Sequence, residues 1–514
     1  MSQLRSGIAL SFVSIFLTNG ISLLFTPYLL GKLGKAEYGL YILVGSLIGY
    51  LGLLTFGMGN TLVRYIARYR AVDDKKSEEN LLAMALIIYG VMSLLVFLSG
   101  CGIWSFLRDI FPKLTPGELV KVRQMFALLV VSTTITLPSA VLIAVQTAYE
   151  RFVFLRSVVI VSGLARTVVL LLLLFLGYKS VAIVIVDVVI NLTVLLVNLV
   201  YVLGVMKSRI RLSHFDVPLL REVSTFSFWI FLHLIMDQLY WKFGQTILGI
   251  TSGAVAVAVF AVGIQLAYYF ITLSNTISGV FLPRAAAMDA VNATNEEMTD
   301  MMIKVARFQF LVMGLALVGF LTLGRLFIMN WLGPGYLTAW SIAIVIIIPL
   351  FLPLMQNFGI SILQARNRHA PQSLIYACIS IVNVIIGYFL SRLYGGVGMA
   401  IGTSLSLIMG QGIAINLYYH FRIGLNIPRF FRELSSGLLP AILFSAALGH
   451  GVSLLPGDNW YGFICKAVFI ALIYAFSMWL YGVNVSEKYE LRSLLKAVLG
   501  AVSGGKIIIA VKPG

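Results

Sequence analysis

The sequence predicts an all-α integral membrane protein of about fourteen transmembrane helices, organised as two six-helix lobes plus two C-terminal helices. Three observations predict it. Sixty per cent of the 514 residues are hydrophobic, only 11% are charged, and the mean hydropathy is +0.97. A water-soluble chain of that composition would expose too much apolar surface. Second, apolar runs of about 20 residues recur along the chain, and a run of that length spans the hydrocarbon core as a helix. Strand-like alternation does not recur, which argues against a membrane β-barrel. Third, the two halves match at a fixed offset.

The runs place spans at roughly 8–30, 38–62, 81–104, 124–147, 152–176, 181–204, 223–248, 253–282, 305–328, 338–362, 371–391, 397–419, 437–456 and 460–481. The first follows Arg5 and could pass for a secretion signal. It is too long for a signal core and ends without an A-x-A-like cleavage site, so it reads as an uncleaved first helix. The start of the fifth span is least sharp, because Arg156 lies inside it.

The formal charge of +17 does not point to nucleic acid, because Lys and Arg sit in the short connections between apolar runs. That is the pattern of topology signals and of contact with anionic lipid. Alternate connections and the two termini hold 25 basic residues against nine in the opposite connections, with Arg166, Lys242 and Lys466 inside spans. The bias puts both termini in the cytoplasm, as an even number of spans requires. Cys101, Cys378 and Cys465 lie far apart in apolar runs and form neither a disulfide framework nor a metal spacing.

The internal offset is 218 residues: Leu30-Gly31 matches Leu248-Gly249, Gln146 matches Gln364, Gly177 matches Gly395, and Ala182-Ile183 matches Ala400-Ile401. Arg64 and Arg284 correspond at an offset of 220. Single matches of small residues are weak, and the shared offset carries the argument. Six spans fit within it. An even number gives both lobes the same orientation and relates them by a pseudo-two-fold axis along the membrane normal. The predicted organisation is residues 1–210, 211–425 and a third part, 426–514, holding the last two spans and a cytoplasmic tail. A repeat of this kind suits a carrier that rocks its lobes to open each side in turn.

Polar residues inside the spans are the candidates for function. Arg166 lies near the middle of the fifth span. It either lines a cavity or forms a structural pair with an acid such as Asp237 or Asp187. His233 and Asp237 are four residues apart on one face of the seventh span. They suit proton coupling, or equally a buried hydrogen-bonded pair. Lys242 reads as a snorkelling lysine near the outer end. Asp187, Asn191 and Asn198 form one polar stripe that lines a path or joins helices. Asn19, Asn60, Gln265 and Asn275 are isolated polar residues suited to interhelical hydrogen bonds or to a cavity wall. Arg64 and Arg284 stand at the cytoplasmic mouth, where arginine suits phosphate geometry and also serves as ordinary topology charge. No G-x-x-x-x-G-K-[ST] occurs, since Gly504-Gly505-Lys506 lacks the rest of it, and no H-E-x-x-H or paired-Cys motif occurs. The expectation is a protein with no ATP site, no metal site, no cofactor and no enzymatic activity.

Several segments resemble a known family. They are Glu37-Tyr38-Gly39-Leu40-Tyr41, Phe56-Gly57-Met58-Gly59-Asn60 leading to Arg64-Tyr65-Ile66-Ala67, Trp331-Leu332-Gly333-Pro334-Gly335-Tyr336, Gln364-Ala365-Arg366-Asn367-Arg368, Asn383 and Tyr394-Gly395-Gly396-Val397-Gly398. In order and spacing they resemble the polysaccharide biosynthesis or O-antigen flippase family. It belongs to the superfamily of multidrug, oligosaccharidyl-lipid and polysaccharide flippases. The resemblance implies translocation of a polyprenyl-pyrophosphate-linked oligosaccharide to the outer leaflet of the inner membrane. For such a substrate the candidates read from the spans to line the path are Arg166, Arg64, Arg284, Asn19, Asn60, Gln265 and Asn275. Membrane lipids, a polysaccharide polymerase and glycosyltransferases would be its partners. The family often carries an acid before the Ile-Leu-Gly of the seventh span, where this chain reads Gly244-Gln245-Thr246-Ile247-Leu248-Gly249. A role for that acid in cation coupling therefore does not carry over. Two other readings compete: an exporter of small molecules of the multidrug and toxin extrusion type, and a membrane polymerase or ligase. The short outer loop at about residues 105–123 has no histidine and argues against the enzyme.

Overall fold

The computed structural model of the chain describes residues 2–56, 58–279, 281–366, 370–484 and 487–488. Among them the regular structure is entirely helical. Contacts gather the chain into two compact units, one of Met1–Tyr269, Ser341–Ile346 and Ser373–Gly410, the other of Phe270–Trp340, Ile347–Gln372 and Gln411–Gly514. These units are contact clusters and are distinct from the repeat-based lobes.

The first unit begins with α1 (Ser2–Gly52), α2 (Met58–Ala71), α3 (Lys75–Ile110), α4 (Pro116–Thr136), α5 (Ser139–Ala148), α6 (Phe152–Phe175) and α7 (Ser180–Val200). It continues with α8 (Val217–Trp241), α9 (Phe243–Thr251) and α10 (Ala254–Gly279), whose last turns belong to the second unit. The second unit is built on α11 (Leu282–Ala290), α12 (Asn295–Leu332), α13 (Leu337–Met355) and α14 (Asn357–Ala365), with the first unit taking part of α13. The long helix α15 (Ala370–Leu407) lies mostly in the first unit. The short α16 (Ile415–Tyr418), then α17 (Ile427–Ser435), α18 (Leu438–Ser453) and α19 (Trp460–Ser477), complete the second.

Eleven helices among the described residues are long and apolar enough to cross a membrane. The chain is therefore a multi-pass membrane protein. Its exterior is apolar as lipid requires: α6 exposes Val168, Leu171, Leu172 and Phe175, with Leu170 and Leu174 buried. Two helical runs are interrupted by a glycine at positive φ, Gly34 (77°) in α1 and Gly395 (55°) in α15. Such angles are strained for side chains bearing a Cβ. Each break falls between two of the sequence-predicted spans. Other predicted spans are broken inside the membrane-length run, among them the fourth at Leu137-Pro138, the seventh at Lys242 and the tenth at Gln356, the last following Pro349 and Pro353. Proline removes a helical N–H and clashes with the preceding turn. Local irregularities recur at the 218-residue offset: α5 corresponds to α14, and the π-helical turn Tyr201–Val205 corresponds to Tyr419–Ile423.

The Glu37-Tyr38-Gly39-Leu40-Tyr41 segment has a structural reason at each end. Glu37 is buried and bonded to Lys121 of α4 and to Ser180 of α7, which pins α1 to both. A Cβ on Gly39 would lie 1.9 Å from the carbonyl oxygen of Ala254, so only glycine permits that approach of α1 to the start of α10. In the second unit Arg307 of α12 is 5% exposed and donates to Glu487 at 2.6 and 2.9 Å. It also donates to the carbonyls of Glu433 at 2.8 Å and Gly482 at 2.7 Å, joining α12 to α17 and to the end of the last span. Among the basic residues counted for topology, Arg307 is thus also a buried structural clamp.

Candidate functional site

The site lies in the first unit, where α1, α6, α7, α10 and the α8–α9 break enclose polar side chains. A cavity of ≈ 500 Å³ is lined by Asn19, Ser22, Tyr41, Arg166, Lys242 and Gln265, among others. An adjoining cavity of ≈ 460 Å³ adds Asp187 and Asn191. The two share Tyr41, Ile42, Arg166, Lys242 and Gln245. Each is within the range of roughly 300–1,000 Å³ usual for small-molecule sites.

Arg166 both lines the cavity and is paired. Its Nε donates to Asp187 Oδ1 at 2.5 Å and its Nη2 to Oδ2 at 3.2 Å, a two-pronged fork. Nη2 also donates to the Tyr41 hydroxyl at 3.0 Å, and that hydroxyl donates to Asp187 Oδ2 at 3.1 Å. The partner acid is Asp187, not Asp237. Arg166 Nη1 has no hydrogen-bond partner among the described residues and is not sealed from solvent. The apolar outer face of α6 and Arg166 on its inner side give that helix an inside-out pattern, suited to lipid outside and a polar hollow within.

Lys242 sits at the break between α8 and α9, where its backbone N–H still reaches the Gln238 carbonyl at 2.9 Å. Its ammonium stands 5.7 Å from the centre of the Tyr268 ring, and among the described residues it makes no salt bridge. The sequence reading of Lys242 as a snorkelling lysine missed its place in the cavity wall. The available signal was the position of a lysine just before Phe243-Gly244, where the helix breaks.

The other sequence-predicted residues divide. Asn19 and Gln265 line the larger cavity. Gln265 donates to Ser22 at 2.9 Å, Thr26 at 3.3 Å and Tyr269 at 2.9 Å, so it joins α1 to α10 as well. Asn275 lies in the second unit and accepts from Asn357 at 2.9 Å. Arg64 in α2 and Arg284 in α11 are exposed and line neither cavity. The side chain of Asn60 lies outside the described residues. The sixth-span stripe splits: Asp187 and Asn191 face the smaller cavity, whereas Asn198 is buried and bonded to Gln146 at 2.9 Å. Its counterpart at the 218-residue offset, Asn416, bonds to Gln356 at 2.7 Å. His233 and Asp237 are exposed, line neither cavity and make no hydrogen bond to each other. Tyr376 meets both, its ring 5.7 Å from the imidazole and its hydroxyl 3.4 Å from Asp237 Oδ1. Gln245, in the segment before Ile247-Leu248-Gly249 that has no acid, is buried in the cavity wall.

The sequence profile of the polysaccharide biosynthesis protein family matches residues 4–288. The chain belongs to that family. No curated protein matches it in sequence. Among solved structures, one described as the lipid II flippase MurJ in an inward closed conformation superposes with a TM-score of 0.71 at 13% identity, covering 92% of this chain and 98% of its own. An inward-facing multidrug resistance transporter of the MATE family superposes with a TM-score of 0.62 at 13% identity, covering 83% and 99%. A transporter from Pyrococcus furiosus whose description notes a binding pocket of reversed polarity gives a TM-score of 0.53 at 15% identity, covering 79% and 91%. These likenesses define the fold.

Proposed function

We propose that the chain is a flippase carrying a polyprenyl-pyrophosphate-linked oligosaccharide from the cytoplasmic to the outer leaflet of the inner membrane by alternating access. One observation carries this reading: a chain of the polysaccharide biosynthesis family holds, among membrane-length helices, a polar cavity lined by Arg166 Nη1 and the Lys242 ammonium, neither with a hydrogen-bond or salt-bridge partner among the described residues. An anionic diphosphate and a polyhydroxylated sugar need such a lining, and the lipid chain needs the apolar exterior. An exporter of organic cations is the second reading, because solved structures of multidrug transporters share the fold. The two cations against the single Asp187 carboxylate in the lining argue against a cationic substrate.

Fourteen spans follow from the eleven when α1 and α15 are each divided at their glycine and α8 is added. The pseudo-two-fold lobes of residues 1–210 and 211–425, followed by 426–514, are supported by the irregularities recurring at the 218-residue offset. Both termini face the cytoplasm in this topology. Arg64 and Arg284 give the diphosphate its first contact at that side, and Asn60 and Asn275 belong to the path. His233 and Asp237, with Tyr376 between them, couple protons to resetting the empty carrier. The polysaccharide polymerase and glycosyltransferases act after and before it. A diphosphate moving outward is driven by an inside-negative potential, which releases about 4–5 kcal/mol per 100 mV for two uncompensated charges.

The test is reconstitution of the protein into sealed vesicles with a polyprenyl-diphosphate disaccharide, following enzymatic access to the sugar at the far face. Protein-dependent movement of the lipid, faster with a potential of the right sign, is expected. Transport of a rhodamine-type cation with no movement of the lipid would overturn the flippase reading in favour of the exporter.

A further inference from the structure

The cavity lining holds three charged groups: Arg166 from α6, Asp187 from α7 and Lys242 from the α8–α9 break. Their pairing is unequal. Both Asp187 oxygens are engaged by the Arg166 fork, and the Tyr41 hydroxyl adds a bond to one of them. Arg166 is thereby charge-compensated, with only Nη1 left to donate into the cavity. Lys242 has the Tyr268 ring beside it and, among the described residues, no carboxylate in ion-pair contact. Asp237, five residues earlier on α8, acts on Lys242 through space and lies outside the lining.

We propose that Asp187 sets the anion affinity of this cavity, holding Arg166 as a compensated hydrogen-bonding fork so that Lys242 is the cation a diphosphate meets. The proposal rests on the flippase reading and names residue roles within it. The physical reason is release. In a site of low dielectric, two uncompensated cations would hold a doubly charged diphosphate far more tightly than one. A carrier must let its ligand go on the opposite side, and a ligand bound too firmly in one state does not turn over. The compensated fork keeps the directional donor that suits a phosphate or sugar oxygen and removes most of the long-range attraction.

The consequence differs from that of a structural pair. Removing Asp187 should tighten anion binding, not abolish it. The experiment titrates farnesyl diphosphate into the purified full chain in detergent, with inorganic pyrophosphate as the chain-free control. Flipping is measured in parallel in vesicles. Asp187→Asn should bind farnesyl diphosphate about tenfold more tightly than the wild type and flip more slowly. Lys242→Gln should bind about tenfold more weakly. The double variant Arg166→Gln with Asp187→Asn removes the fork without changing the net charge of the lining. It loses the Nη1 donor and no net charge, so it should bind more weakly than the wild type but by clearly less than Lys242→Gln.

A folded Asp187→Asn that binds no more tightly overturns the proposal. If that variant does not accumulate, the double variant decides: a loss as large as that of Lys242→Gln means Arg166 carries the charge, and the proposal fails. Pyrophosphate binding as tightly as the lipid also overturns it, because the ligand is then a soluble anion. A wild type that flips the lipid-linked disaccharide while Asp187→Asn shows no gain in affinity leaves the flippase reading standing and removes this inference alone. A wild type that neither binds farnesyl diphosphate nor flips the lipid removes both.

Discussion

Two arginines, one in each unit, use the same two-pronged pairing with a carboxylate and are left in opposite states. Arg307 is 5% exposed and Arg166 33%. Arg307 adds two backbone carbonyls to its carboxylate, so all three guanidinium nitrogens have partners. Arg166 adds one tyrosine hydroxyl and keeps Nη1 open to a cavity. A fully satisfied guanidinium can only hold structure together. One with a spare donor beside a hollow can also meet a ligand. The ion pair alone does not distinguish a clamp from a site; what fills the remaining donors does.

The largest expected effect is on the clamp. Arg307→Ala leaves Glu487 without its partner and two carbonyls without a donor. Breaking a buried pair of this kind costs roughly 3–5 kcal/mol. Membrane abundance and thermal midpoint should both fall sharply. Arg166→Gln should leave abundance much nearer the wild type while export of the saccharide drops, because that pair is partly solvated and its neighbour Tyr41 can bond Asp187 directly. Equal losses of abundance in the two variants would erase the distinction between the arginines.

What the sequence revealed follows the same line. Spans were legible because lipid imposes a long apolar run on every helix, and a glycine at positive φ or a charged connection ends it. Hence Gly34 and Gly395 break the helical runs between predicted spans. Breaks inside a span such as those at Pro138 and Gln356 do not alter hydropathy and were less visible. The position of Arg166 inside an apolar run marked it as lining a cavity or paired, and it is both. The identity of its partner was not legible, since Asp187 and Asp237 were equally plausible on sequence and only packing chose. Lys242 looked like an interfacial lysine because hydropathy does not show which face of a broken helix turns inward. The clamp at Arg307 was not legible because its partner is 180 residues away.

A smaller effect on the clamp should follow pH. Burial alone would raise the Glu487 carboxyl, but bonds from Arg307 and the Asn484 backbone N–H, with the charges of Arg307 and Lys304, outweigh it and hold its pKa below the usual glutamate value. The unfolded chain therefore binds this proton more readily than the folded one. The stabilisation is fully present above the unfolded pKa and is lost as pH falls through the folded pKa. The thermal midpoint should decline as the medium is acidified below the ordinary glutamate range, and Glu487→Gln should be less stable near neutrality and flatter in that range. An identical acid profile in the variant would mean that Glu487 contributes no such linkage. The Arg166 cluster offers no comparable handle outside the membrane.

The smallest effect, and the one that sharpens the comparison most, belongs to Tyr41. Tyr41→Phe removes the hydroxyl that accepts from Arg166 Nη2 and donates to Asp187, yet leaves both direct bonds of the fork in place. A hydrogen bond of this kind contributes about 1 kcal/mol net. The ring stays, so no large cavity opens. If the hydroxyl only steadies the fork, the thermal midpoint should drop slightly, and the flipping rate should stay close to that of the wild type. Tyr41 also lines both cavities, so its hydroxyl is within the space a sugar would occupy. Should Tyr41→Phe lose as much export as Arg166→Gln while its thermal midpoint stays near the wild type, the hydroxyl contacts the substrate directly. The open face of the site would then extend from Arg166 Nη1 to α1, and the contrast with the closed Arg307 clamp would widen from one nitrogen to a whole wall.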